Sequence, residues 1–330
     1  MSETVAEFMQ KPVKKYACGK RAEQAKKTLM NAFTASSKRK AADEKTIFEK
    51  IIDIVNKTPT GRETMKNLSK TGCTFHLDAL SGNLGGFFNA DQNTLVINRN
   101  MDLGEMASLL VHEGTHACQW ASRVEKDSAW FYSVDSYFRN VRGQEADACA
   151  HQIAFLYECK TVNPALYQDY KKGSVYTPLL NAYEEEMTKS GDRKTAMQKT
   201  FAAWYENVEM MNIYDGFIKG DIKNTCNNFK HFPGLFKKEM PSENLVQKFL
   251  YHGKPYISPE VLNKGKAFSI KPQDKQEIYA EMIDYAKVNK GNADISILKM
   301  NDRTEDGKLI PPRNKTANAV AVSKMKQNDR

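Results

Sequence analysis

One short string in this chain has residue types and spacing suited to metal chemistry: His112-Glu113-Gly114-Thr115-His116. On an α-helix, residues four apart lie on one face, so two imidazoles at this spacing reach one cation from adjacent turns. Glu113 then sits about 100° round the helix from His112, where its carboxylate can touch a water in the open coordination position. That is the pattern of a helical HExxH zinc site, with the two histidines as ligands and the glutamate as general base. The flanking Leu110, Val111, Gly114, Thr115, Ala117 and Cys118 carry no charge. Burying two histidines and a glutamate among them without partners would cost on the order of several kcal/mol, a penalty that a bound divalent ion removes. The alternative is a pair of hydrogen-bonded histidines that never meets a metal.

Catalytic zinc takes three protein ligands and one water, so a third ligand must come from elsewhere. The segment GQEADACAHQIAF offers Glu145, Asp147 and His151, and its alanines at 146, 148 and 150 let it pack closely on a neighbouring helix. Glu145 is the expected ligand. Asp147 and His151 are the alternatives, and Asp147 is equally suited to orienting a ligating histidine.

The elements that must position these groups can be read from periodicity and punctuation. Asp102, with Glu105 three positions on, predicts a capped start for a helix over 103–121 that carries the motif. Its apolar residues fall on more than one face, which predicts burial. A strand is expected in CTFHLDAL and a β-hairpin in GGFFNADQNTLVINRN, turning around Asn89, Asp91 and Asn93. A second helix, over 143–159, would carry the third ligand. Upstream, AEQAKKTLMNAF and DEKTIFEKIIDIVNKT read as helices, the latter with Phe48, Ile51, Ile52 and Val55 at helical spacing, and a short helix over 61–70 ends before Gly72. From 163 the chain reads as helical, broken at Pro164, Pro178, Pro233, Pro241 and Pro255, and beyond about 299 it has little to bury and reads as a disordered tail. The expected class is α+β: a small sheet or hairpin beside the HExxH helix, with a largely helical remainder.

With these residues in view, the chain resembles the gluzincin metallopeptidases, in which HExxH on one helix is completed by a glutamate on a later one. Glu145 followed by Ala148 is similar to the ligand segment of that group, although its acidic or amide residue four positions on is Cys149 here. More closely, residues from about 45 to 220 resemble a bacterial family of metallopeptidases of unassigned substrate, through GRETM, the GGFF hairpin, HEGTHACQ, QEADA and AAWYENVEMMNIYDG. The resemblance implies a zincin-like domain over 45–220, one zinc ion on His112, His116 and Glu145, Glu113 as base, and a peptide or protein substrate. A basic helical region (1–44), a helical extension (221–298) and the tail (299–330) would flank it.

An oxyanion donor is expected near the metal, with Tyr214, His231 and Tyr132 as candidates. The strand Leu95-Val96-Ile97 could hold an extended peptide by its main chain. The connector DSAWFYSVDSYF places Trp130, Phe131, Tyr132, Tyr137 and Phe138 either in a pocket over the metal or in the core.

Composition narrows the remaining classes. The net charge of +9 is uneven: residues 1–70 hold 16 Lys+Arg against 8 Asp+Glu and residues 299–330 hold 8 against 4, leaving −3 for the middle that bears the motif. The basic ends lack interleaved aromatics, so nucleic-acid binding is not expected. The sequence has no run of eighteen apolar residues and its start has no apolar signal core, so a cytoplasmic protein without a membrane span is expected, and unconventional export stays open. Six cysteines without a CxxC pair point to reduced, buried thiols. The rival to an enzyme is a non-catalytic zinc-binding scaffold or interaction protein with basic termini; an intact Glu113 argues against it, since a scaffold needs no base. The oligomeric state is not legible.

Overall fold

The structure, a computed structural model, describes residues 38–82, 84–122, 124, 129–232 and 234–289. The expected helix over 22–33 and the tail beyond 299 lie outside the described residues. The chain divides into two compact units, Met1–Cys118 and Gln119–Arg330, with the boundary inside the helix that carries HExxH.

In the first unit, helix α1 (Lys38–Val55) buries Phe48, Ile51, Ile52 and Val55, the stripe its periodicity predicts. Helix α2 (Pro59–Leu68) starts two residues before the expected position, because Thr58 accepts a cap bond from the Gly61 amide (3.0 Å) and Pro59 occupies the first turn. It ends before Gly72, whose φ of +68° lets the chain turn into strand β1 (Thr74–Asp78). The hairpin forms as expected from β2 (Gly86–Asn89) and β3 (Thr94–Asn98), with β1 pairing in parallel on the other side of β3. The sheet order is therefore β1-β3-β2. This corrects the expectation for Leu95-Val96-Ile97: β3 is the middle strand with both edges paired, and β2 is an outer strand.

Helix α3 (Leu103–Ala121) has the predicted bounds. Asp102 Oδ1 accepts from the amides of Gly104 (2.7 Å) and Glu105 (2.9 Å), while Glu105 reaches back to the Asp102 amide (3.3 Å), a reciprocal cap. Inside the motif, Gly114 lets α2 approach: a Cβ there would lie 3.2 Å from the Thr64 methyl.

In the second unit, α4 (Val134–Val162) runs for 29 residues and starts nine before the expected 143. Ser133 caps it, and Val134, Tyr137 and Phe138 form an apolar stripe that buries against Ile218, Ile222 and Cys226. Of the two readings of the aromatic segment, core packing is the one that holds: Tyr137 and Phe138 are helical, Tyr132 is buried, and a short 3₁₀ turn (Ala129–Phe131) keeps Trp130 packed on the same cluster.

Helices α5 (Pro164–Lys171), α6 (Thr177–Ser190), α7 (Arg193–Glu206) and α8 (Val208–Asn228) follow. Pro164 and Pro178 open helices rather than merely breaking them, as the missing amide costs nothing in a first turn. The chain then makes α9 (Ser242–Leu245), a two-stranded ribbon of β4 (Leu250–Tyr251) and β5 (Lys254–Pro255), short α10 (Pro259–Leu262) and α11 (Gly265–Phe268), and α12 (Pro272–Val288). The class is α+β, mostly helical with a small sheet. Among the described residues no helix is long and apolar enough to cross a membrane. The described cysteines are free, and burial pushes the thiols of Cys73, Cys159 and Cys226 up to about 12, keeping them neutral.

A buried ion pair fixes α4 against α8. Arg142 donates to both carboxylate oxygens of Asp215, Nε at 2.8 Å and Nη2 at 2.9 Å, and gives Nη1 to the carbonyls of Lys266 (3.1 Å) and Ser269 (2.8 Å). Both side chains are almost wholly buried. Removing one partner strands the other charge, so Asp215→Ala is expected to lower stability by about 3–5 kcal/mol in denaturant unfolding. Lys287→Ala, which breaks the exposed pair with Asp284, is expected to change it by under about 0.5 kcal/mol.

Candidate metal centre

The motif histidines converge as helical spacing requires. His112 Nε2 and His116 Nε2 lie 3.2 Å apart, with the rings edge to face at 4.9 Å between centroids. His112 and Glu113 are buried and His116 is half-buried. Two zinc–nitrogen bonds of about 2.0–2.1 Å at a tetrahedral angle span roughly 3.3 Å, so the observed separation fits two nitrogens sharing one cation.

Glu145, on α4, joins them. His112, His116 and Glu145 each offer one ligand atom, and these atoms all lie within 4.8 Å of one another. Two imidazole nitrogens and a carboxylate are a donor set that can bind a metal ion and suits zinc in the catalytic, three-ligand mode. Of the other two candidates, Asp147 is fully buried and faces His151 at 3.6 Å, and neither belongs to the metal-binding group.

Asp147 instead anchors a hydrogen-bond network. Its Oδ2 accepts from Gln119 Nε2 at 2.7 Å and its Oδ1 from the Tyr256 hydroxyl at 2.9 Å. Gln119 also donates to the Gln144 carbonyl at 3.0 Å, immediately before Glu145. Gln119 follows His116 by three positions on α3, so one amide side chain ties the motif helix to the turn of α4 that presents the carboxylate. Sequence reasoning missed this residue, although its i+7 and i+3 relation to the histidines put it on their face. It also missed Tyr256, for which no local signal exists.

The three candidate oxyanion donors part company. Tyr214, on α8, is hydrogen-bonded to Glu145; burial first, then the Glu145 charge, hold its hydroxyl well above the usual 10, so it stays a donor. Tyr132 is buried and bridges to Lys238, and His231 is exposed. On the sheet side, a Cβ at Gly86 would lie 3.4 Å from Glu113 Cγ, so β2 borders the glutamate without a side chain between them.

This arrangement is a group of three side chains that could hold a metal ion, on helices of a mostly helical chain with a small sheet. Residues 22–224 match the model of a family described as "Putative metallopeptidase family (DUF6782)", and the chain belongs to that family. No curated protein and no solved structure matches the chain. Membership supports peptidase activity, a hydrolase with a metal ion and a peptide or protein substrate.

Glu145→Ala is expected to abolish stoichiometric metal retention, measured by metal analysis of the purified protein. Asp147→Ala is expected to retain part of it; the reverse order would move the third ligand.

Proposed function

We propose that this chain is a zinc peptidase of the gluzincin type with a zincin-like catalytic domain over 45–220, in which His112, His116 and Glu145 hold one zinc ion and Glu113 is the general base. The observation that carries this reading is the convergence of two imidazoles and a carboxylate within 4.8 Å, with Glu113 on the same helix as the imidazoles.

Bound zinc would supply Lewis acidity, polarising a carbonyl and lowering the pKa of a bound water towards about 7. Glu113 takes the proton from the attacking water and hands it to the leaving amine, base first and acid afterwards. Its burial keeps that carboxylate from swinging into solvent, and the absence of a side chain at Gly86 lets β2 lie close against it. Tyr214, whose single O–H is given to Glu145, orients that carboxylate.

The outer edge of β2 supports an extended substrate. The Asn98 amide donates to the Gly85 carbonyl at 2.8 Å, and antiparallel alternation then turns the amides and carbonyls of Gly86 and Phe88 away from β3. A peptide chain pairing there would run past Glu113.

The test is Glu113→Gln. It is expected to keep close to one equivalent of zinc and to lose hydrolysis by at least about a thousandfold against a peptide library that the wild type cleaves in a chelator-sensitive way. Undiminished cleavage by Glu113→Gln would remove the base role. A wild type that holds zinc but cleaves nothing in the library would favour the scaffold.

A further inference from the structure

The match to the family ends at residue 224, yet the segment that follows is built into α4 along one face. The Met240 amide donates to Ser136 Oγ at 3.0 Å, and Arg139 donates to Ser242 Oγ at 2.8 Å and to the Met240 carbonyl at 3.1 Å. Lys248 Nζ donates to Asn140 Oδ1 at 3.0 Å, the Phe249 ring fills the space a Cβ at Gly143 would need (2.8 Å), and the Tyr256 hydroxyl donates to Asp147. Positions 136, 139, 140, 143 and 147 form a single helical stripe, and Glu145 lies on the order of 180° from its centre. The extension therefore braces α4 from the side away from Glu145. The last contact of the stripe, Tyr256, reaches Asp147, which is itself bonded to Gln119 of the motif helix.

Resting on the metal reading above, we propose that Tyr256 is a positioning residue for the metal centre, supplied by a segment outside the family region. It holds Asp147 Oδ1 at 2.9 Å, which fixes the carboxylate so that Oδ2 meets Gln119 at 2.7 Å. Gln119 in turn donates to the Gln144 carbonyl at 3.0 Å, one residue before Glu145. Tyr256 is itself fixed: it is buried, its carbonyl accepts from Gln198 Nε2 at 2.6 Å, and its ring stands edge-on to Phe201 at 6.4 Å and to His151 at 6.2 Å. Loss of the hydroxyl leaves the ring packing intact and lets the Asp147 carboxylate turn, loosening the cross-brace without removing any ligand.

The experiment uses the full chain and measures zinc affinity by chelator competition, together with the visible spectrum of the cobalt-substituted protein. Tyr256→Phe is expected to weaken zinc binding about 10–100-fold and to shift the cobalt bands, with the far-UV circular dichroism unchanged. Tyr167→Phe removes another tyrosine hydroxyl of the same unit, bonded to Glu184, and is expected to leave both readouts at wild type. Wild-type zinc affinity and cobalt spectrum in Tyr256→Phe would overturn the proposal. Should that variant not fold, Gln198→Ala, which frees only the Tyr256 carbonyl, carries the test: a severalfold loss of affinity supports the proposal and none overturns it. A wild type that binds zinc no better than His112→Ala/His116→Ala would instead bring down the metal reading, and this inference with it.

Discussion

Two imidazole nitrogens held 3.2 Å apart inside a protein admit few electrostatic solutions. Either one N–H points at the other's lone pair, or both lone pairs face a shared cation; two protonated rings would repel. The carboxylate of Glu145 beside them biases the choice towards the cation, since it supplies negative charge where a mere histidine pair needs none.

Close approach and buried polar cross-links, rather than bulk, hold the helices. Gly114 brings α2 against the motif helix and Gly143 brings the Phe249 ring against α4, both at distances a larger side chain would not allow without a shift of its neighbour. Arg142 and Asp215 register α4 against α8, which places Tyr214, the neighbour of Asp215, on the carboxylate three positions after Arg142. Gln119 and Asp147 register α3 against the same turn. A fork-to-fork ion pair and an amide nitrogen shared between two acceptors each fix direction as well as distance, which apolar packing alone does not.

What was legible in the sequence is what is determined locally. The HExxH spacing, the Asp102–Glu105 cap, the apolar stripe of α1 and the hairpin around Asn93 all depend on residues within a turn or two of each other, and the structure has them where expected. The start of α4 was not legible, because DSAWFYSVDSYF reads as an aromatic connector until Ile218 and Ile222 are known to cover Tyr137 and Phe138. Nor was the order of the sheet, since β1 inserts its pairing on the far side of β3 through contacts 20 residues apart, as in Thr74 with Thr94. Tyr256 stood furthest out of reach: it meets Asp147 across 109 residues, and a tyrosine near a proline carries no local sign of that.

The polar face of α4 bears on where the working unit ends. Ser136, Arg139, Asn140, Arg142 and Asp147 occupy successive turns, are all buried, and find bonding partners in the segment from 239 to 269. Without that segment each donor or acceptor left buried and unpaired would cost about 1–3 kcal/mol, although Arg142 keeps Asp215 and Asp147 keeps Gln119. A helix of this sequence therefore has no low-energy state in which the extension is absent and the face stays dry. The residues that match the family model and the segment that follows them are one structure at α4.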